Sequence, residues 1–234
     1  MAAHRVATHI RCPVLLFTQT ALVCVFYPQN CSKHLQNERS GHKKTDQLRQ
    51  ILIDGTIRVI ASEGLGKAST KQIGKATNLN EAYIYRCFNN KEDMFLKAFN
   101  SLDDELLTVT LRHMPIFSME TMDFDMRCRM YFAVIWQFLL GNKEKCLTFV
   151  RYFYSPDFVE YAAKAHELRY KPLVEQFRVA FRDEADVWMI LNHILNVMLD
   201  FAVKVHNGLM PDDERYSEHV FRVIYASVKQ YFRW

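Results

Sequence analysis

Glycine and proline are scarce in this chain, with 7 Gly and 6 Pro in 234 residues. A protein of many strands and tight turns needs more of both, so long stretches free of them predict helices. The six cysteines (Cys12, Cys24, Cys31, Cys87, Cys128 and Cys146) form no CxxC pair and no zinc-ligand spacing. They read as reduced thiols of a cytoplasmic protein. No phosphate loop and no nucleophile beside a base is visible, and His166, His193, His206 and His219 share no metal-binding interval. These absences argue against an enzyme, a cofactor or a bound metal. A helical enzyme assembled from distant residues is the weakest alternative.

The apolar run from Val14 to Tyr27, behind Arg5 and Arg11, has the outline of a signal peptide. It lacks a small-residue cleavage site after it and is too short to span a bilayer. Residues 1–42 are therefore left unassigned, as an unpacked extension, and no membrane partner is expected.

Half of the residues are apolar and 13% are aromatic, enough for a sizeable buried core. Charge is unevenly spread. Residues 39–100 hold 11 Lys and Arg against 6 Asp and Glu, whereas residues 101–234 hold 16 against 19. A basic first part ahead of an acidic remainder suits a DNA reader joined to a second domain.

Within the basic part, Ser69 to Glu92 (STKQIGKATNLNEAYIYRCFNNKE) reads as two short helices about a tight turn and the start of a third. Ser69 or Thr70 is an N-cap, and Asn78 can take the left-handed turn conformation. Asn80 is a second N-cap, and Asn90 a third. Ile84 and Phe88, four apart, face inward and leave Glu81, Ala82, Tyr83 and Arg86 outward. A short helix with that polar and aromatic face suits a DNA major groove. Ahead of it, Thr45 to Ser62 predicts a helix with Leu48, Leu52, Val59 and Ile60 inward and Gly64 as C-cap.

From about Leu48 to Phe99 the chain resembles the DNA-binding domain of TetR-family (tetracycline-repressor-like) transcriptional regulators. The resemblance rests on LRQILIDGTIRVIASEG, STKQIGKATNL, IYRCF and NNKEDMF, with Tyr85, Phe88, Lys91 and Glu92 at the family's spacing. Gly55 stands where Ala is usual, at a cost of about 1 kcal/mol in helix propensity. Asn78 replaces the usual turn Gly, and Cys87 and Glu81 also depart from the pattern.

The resemblance implies an all-α protein. Residues 43–100 form a helix-turn-helix domain, and residues 101–234 form a helical effector-binding and dimerisation domain. It implies a regulator, a repressor in the first instance, that binds a palindromic operator in double-stranded DNA as a homodimer. The dimer forms through the last two helices, and an unidentified small molecule releases the DNA. The expected DNA contacts are Ser69, Thr70, Lys71, Glu81, Ala82, Tyr83, Tyr85, Arg86 and Lys91. The expected cavity lining is Tyr131, Trp136, Phe149, Tyr152, Phe153, Phe177, Asn192 and His193. The alternative is a DNA or nucleoid binder that uses the same head without ligand control.

Further helices are predicted over Met126–Asn142, Lys143–Tyr154, Phe158–Phe181 (kinked or divided by Pro172 near Tyr170), Val187–His206 and Glu214–Trp234.

Overall fold

The computed structural model describes the backbone of residues 28–233 and the side chains of residues 44–233. The apolar run at Val14–Tyr27 lies outside the described residues. Contacts divide the chain into two compact units, residues 1–47 and 48–234. Apart from the first part of helix α1, everything described below lies in the second unit.

Nine α-helices make up the described residues, and no strand longer than an isolated bridge occurs among them. Helix α1 is Pro28–Glu63, starting well ahead of the predicted Thr45. It ends at Gly64, whose φ of 87° is left-handed and whose N–H donates to the Ile60 carbonyl at 3.0 Å. The buried stripe of α1 includes Leu52, Ile57, Val59 and Ile60, with Leu48 packed at its edge.

Helices α2 (Thr70–Thr77) and α3 (Ala82–Cys87) follow, then the long α4 (Lys91–His113). A 3-10 turn at Met114–Ser118, with Pro115 in its first turn, ends α4. The body continues as α5 (Phe124–Gly141), α6 (Lys143–Phe153), α7 (Ala163–Phe177), α8 (Val187–His206) and α9 (Glu214–Val228). Helices α5 and α8 pack on each other, α9 packs on both, and α4 contacts α5, α6 and α7.

Two predicted boundaries move. Pro172 lies inside α7 without dividing it; the division falls earlier, at a widened π-helical turn over Phe158–Ala162. Proline removes the N–H that would meet the Leu168 carbonyl, and Leu168 is exposed, so water can take that bond. The last helix ends at Val228, not Trp234. A 3-10 turn at Lys229–Tyr231 then lets Phe232 pair with Phe181, with Arg182 N–H on the Tyr231 carbonyl at 2.9 Å and Arg233 N–H on the Ala180 carbonyl at 3.1 Å.

Head and body share a continuous core. The Thr148 hydroxyl on α6 donates to the Ile57 carbonyl on α1 at 2.8 Å, and Arg151 donates to the Ile60 carbonyl. The Lys145 ammonium meets Glu105 on α4 at 2.6 Å. These contacts tie α6 to both α1 and α4.

Candidate nucleic-acid interface and the cavity behind it

Helix α2 begins with a full capping box. The Ser69 hydroxyl accepts from the Gln72 N–H at 3.3 Å, and the Gln72 side-chain oxygen accepts from the Ser69 N–H at 3.0 Å. At its other end Asn78 takes φ 56°, ψ 35°, the left-handed cap expected for the turn. The Leu79 N–H then returns to the Gly74 carbonyl at 2.9 Å, and a Cβ on Gly74 would lie 2.9 Å from the Leu79 carbonyl oxygen. The turn can close this tightly because residue 74 carries no side chain.

Asn80 accepts from the Ala82 N–H at 2.9 Å and so caps α3 from one residue further out than its first turn. Ile84 is fully buried and Phe88 nearly so, which fixes the rotation of the helix. Tyr85, 62% exposed, and Tyr83, 39% exposed, are left on the surface with Ala82 and Arg86. Alongside, an open groove is lined by Arg49, Tyr85, Arg86, Asn89, Asp93 and Lys97. Three of those side chains are cationic, and Asp93 is engaged in accepting from the Asn89 backbone at 3.0 Å. Lys91, half-buried, rests 5.4 Å above the Phe95 ring at the start of α4, which Asn90 caps through the Asp93 N–H at 2.7 Å.

Behind the head, the body holds two adjoining, partly open lobes. One, of about 70 Å³, is walled by residues of α4, α5, α7 and α8, among them Thr110, Tyr131, His166, Tyr170, Phe177, Trp188 and Asn192. The other, of about 90 Å³, is almost wholly apolar and runs to Phe181, Phe221, Val228 and Phe232. Tyr131, Ile135, Phe177, Leu191, Ile194 and Met198 line both. Tyr131 spends its hydroxyl on the Thr110 carbonyl at 3.2 Å, and Thr110 spends its own on the Leu106 carbonyl at 2.7 Å. Burial pushes the Tyr131 phenol well above its ordinary range. At the second lobe, burial, then Asp125, pushes the Cys128 thiol up to about 12.

The sequence profile of bacterial regulatory proteins of the tetR family matches residues 52–98. Residues 52–98 are a TetR-family regulatory domain. No curated protein sequence matches the chain. Among solved structures, a TetR-family transcription regulator from Marinobacter aquaeolei VT8 superposes with a TM-score of 0.65 at 18% identity, covering 79% of this chain and 97% of that one. A TetR-family regulator from Haemophilus influenzae RD gives 0.55 at 21% identity, covering 79% and 97%. FadR from Bacillus subtilis, solved in complex with stearoyl-CoA, gives 0.57 at 16% identity, covering 75% and 96%. The described helices thus share the fold of these three proteins.

Within this TetR-type head, several expected DNA contacts are occupied elsewhere. The Ser69 hydroxyl is engaged by Gln72, and the Thr70 hydroxyl donates to Glu81 at 2.8 Å. Glu81 is half-buried and joins α3 to α2. Both hydroxyls and the carboxylate are held within the head, as is the Gln72 N–H, whereas Lys71 is exposed. Tyr83, Tyr85, Ala82 and Arg86 share the outer side of α3, and Tyr85 is not part of the small core.

In the body, Tyr131, Phe177 and Asn192 lie in the wall of the first lobe. Trp136, Phe149, Tyr152, Phe153 and His193 do not. Trp136 donates to the Ser217 hydroxyl at 2.7 Å and stacks on Phe132. Phe149 and Tyr152 pack on Phe99, and Phe153 packs on Phe149 and Phe158, filling core between α4 and α6. His193 is exposed and meets the Ser227 hydroxyl at 3.0 Å. His166 and Tyr170 also lie in the wall of the first lobe. Their spacing with Leu173, Val174 and Phe177 marks one face of α7, a signal present in the sequence.

Proposed function

We propose that this protein is a sequence-specific transcriptional repressor. It binds a palindromic operator as a homodimer and leaves it when a small molecule fills the body cavity. The observation that carries the reading is the exposed pair Tyr83 and Tyr85 beside Arg86, on a short helix whose rotation is fixed by Ile84 and Phe88. Aromatic rings and a guanidinium on one groove-sized helix can touch thymine methyls, base edges and phosphates.

Dimerisation is supported by α8. Fourteen of its 20 side chains are apolar, yet only Val187, Ile190, Met198, Leu199 and Ala202 are buried, and Met189 is 54% exposed. By length and apolarity α8 alone among the described helices could span a membrane. Its packing on α5, α6, α7 and α9 fits a bundle helix with one face left for a second copy. One short helix reads few bases, and two copies about a two-fold axis read a palindrome. Ligand control draws on the cavity and on the B. subtilis FadR complex, in which a bundle of this fold accompanies a long acyl chain. Such a protein works in the cytoplasm, where its DNA is.

Nuclease footprinting on the DNA flanking its own gene tests the reading. Two protected half-sites about one helical turn apart are expected. Uniform weak protection along the DNA would instead indicate binding without an operator.

A further inference from the structure

Arg49, Arg86 and Lys97 reach one open groove from three different helices, α1, α3 and α4. All three side chains are exposed. Arg49 donates to the carbonyl of Cys87, the last residue of α3, at 3.3 Å. A carbonyl at a helix C-terminus lacks an intrahelical donor, and a cation is favourable beside it. That bond seats the guanidinium against the end of the recognition helix. Among the described residues, Arg86 and Lys97 make no hydrogen bond or ion pair. The one carboxylate in the lining, Asp93, is already engaged: a single oxygen accepts from the Asn89 N–H at 3.0 Å and from Asn89 Nδ2 at 3.2 Å. The lining thus carries three positive charges against one negative.

The openness of the groove decides which anion suits it. A small anion paired with exposed cations is screened by water and salt and gains little. A polyanion is held differently, because it offers many phosphates at once and each contact releases condensed counterions. The groove is also continuous with the reading face. Tyr85 and Arg86 line it and belong to the outer side of α3, and Asn89 lines it just past the end of that helix. A duplex that receives α3 in its major groove carries its sugar-phosphate backbone past the edges of the helix.

We propose that this groove is a further hold on the DNA backbone, in which Arg49 of α1 and Lys97 of α4 take phosphates beside the stretch that α3 reads. The proposal rests on reading the head as a DNA binder. It adds two contacts from outside the helix-turn-helix and assigns them to affinity, not to base choice. It also gives α1 and α4 their own grip on the duplex, so three helices set the angle at which α3 enters.

The test is binding of the full chain to the duplex upstream of its own gene and to a random duplex, each across a salt series. Arg49→Gln and Lys97→Gln are each expected to weaken binding to both duplexes roughly twofold to fivefold. Each should also reduce the slope of log affinity against log salt by about 0.9. Arg49→Lys, which keeps the charge, and Lys171→Gln, which removes an exposed charge on α7, should both leave the slope as it is. An unchanged slope in both groove variants, with a wild type that binds DNA, would overturn the groove as a DNA contact. The groove would then suit an acidic protein segment, and the DNA reading of the head would stand. An equal loss in Lys171→Gln would replace the local contact with overall charge. A slope lost equally in Arg49→Lys would overturn the Arg49 contact and leave that side chain a structural role through Cys87. Weakening confined to the upstream duplex would overturn the assignment to the backbone. A wild type that binds neither duplex would overturn the regulator reading, and the groove with it.

Discussion

Asp103 on α4 and His166 on α7 meet inside the bundle, with the imidazole Nδ1 2.9 Å from one carboxylate oxygen and 3.0 Å from the other. Neither residue reaches solvent to any extent. Arg169, one turn further along α7, completes the cluster from a partly exposed position and shares itself with Asp104. The helix that begins behind the recognition helix is thereby tied to the helix that walls the cavity.

Removing the carboxylate should cost more than the cluster contributes, because two polar partners would remain inside. Asp103→Leu is expected to lower unfolding stability by about 3–5 kcal/mol, read from urea denaturation. A loss below about 1 kcal/mol would mean that Arg169 is satisfied by exposed Asp104 alone.

Gly55 gives a prediction with the opposite sign from helix propensity. On propensity alone, Gly55→Ala in the middle of α1 should stabilise by about 1 kcal/mol. A Cβ there would lie 2.1 Å from Thr77 Cγ2, with the next atoms at ordinary contact distances of 3.6 and 3.8 Å. Gly55→Ala should therefore lower the melting temperature. Adding Thr77→Ser, which deletes that methyl but keeps the hydroxyl on the Ile73 carbonyl, should restore it. Additive effects of the two substitutions would refute the contact.

Alkaline pH should weaken the fold. Burial pushes Cys146 up to about 12, burial with Asp125 does the same for Cys128, and burial with Asp157 and Tyr161 for Tyr152. Their ordinary values are 9.0 for the thiols and 10.0 for the phenol. These raised values favour the protonated form in the folded state, so their contribution is complete below 9.0 and is lost between there and 12. Each group that ionises only on unfolding removes about 1.4 kcal/mol per pH unit across its window. Urea midpoints measured from neutral pH to about pH 11 should fall steeply past 9.0. A flat profile would mean these side chains are hydrated.

At the DNA, Arg86→Ala should weaken binding to every sequence and reduce the slope of log affinity against log salt by about one. Lys91→Ala should act the same way if its ammonium leaves the Phe95 ring for a phosphate. Glu81→Gln, by contrast, should change folding stability more than base preference, because its carboxylate is held by Thr70. Binding to a variant operator series checks all three.

What the sequence carried plainly was local. Ser69, Asn78, Asn80 and Asn90 perform the capping and turning that their side chains suggest, and the Ile84–Phe88 interval correctly points Tyr83 and Arg86 outward. What it concealed was contact across the turn. Nothing in the spacing of Thr70 and Glu81 says that they will bond, nor that Gly55 is small because Thr77 lies against it. The cavity was hidden for a related reason. In helices apolar on several sides, an aromatic residue that lines a space and one that fills it look the same, so Phe177 was separable from Phe149 only once α4, α6 and α7 were packed.

On the proposed reading, α3 reads sequence through Tyr83. Fluorescence anisotropy of the full chain on the DNA upstream of its own gene, with random DNA as competitor across a salt series, addresses it most directly. The wild type should resist random competitor, and Tyr83→Ala should give up about 1–3 kcal/mol of that discrimination while its binding to random DNA is unchanged. Equal losses on both DNAs, or a wild type that random DNA displaces freely, would contradict it.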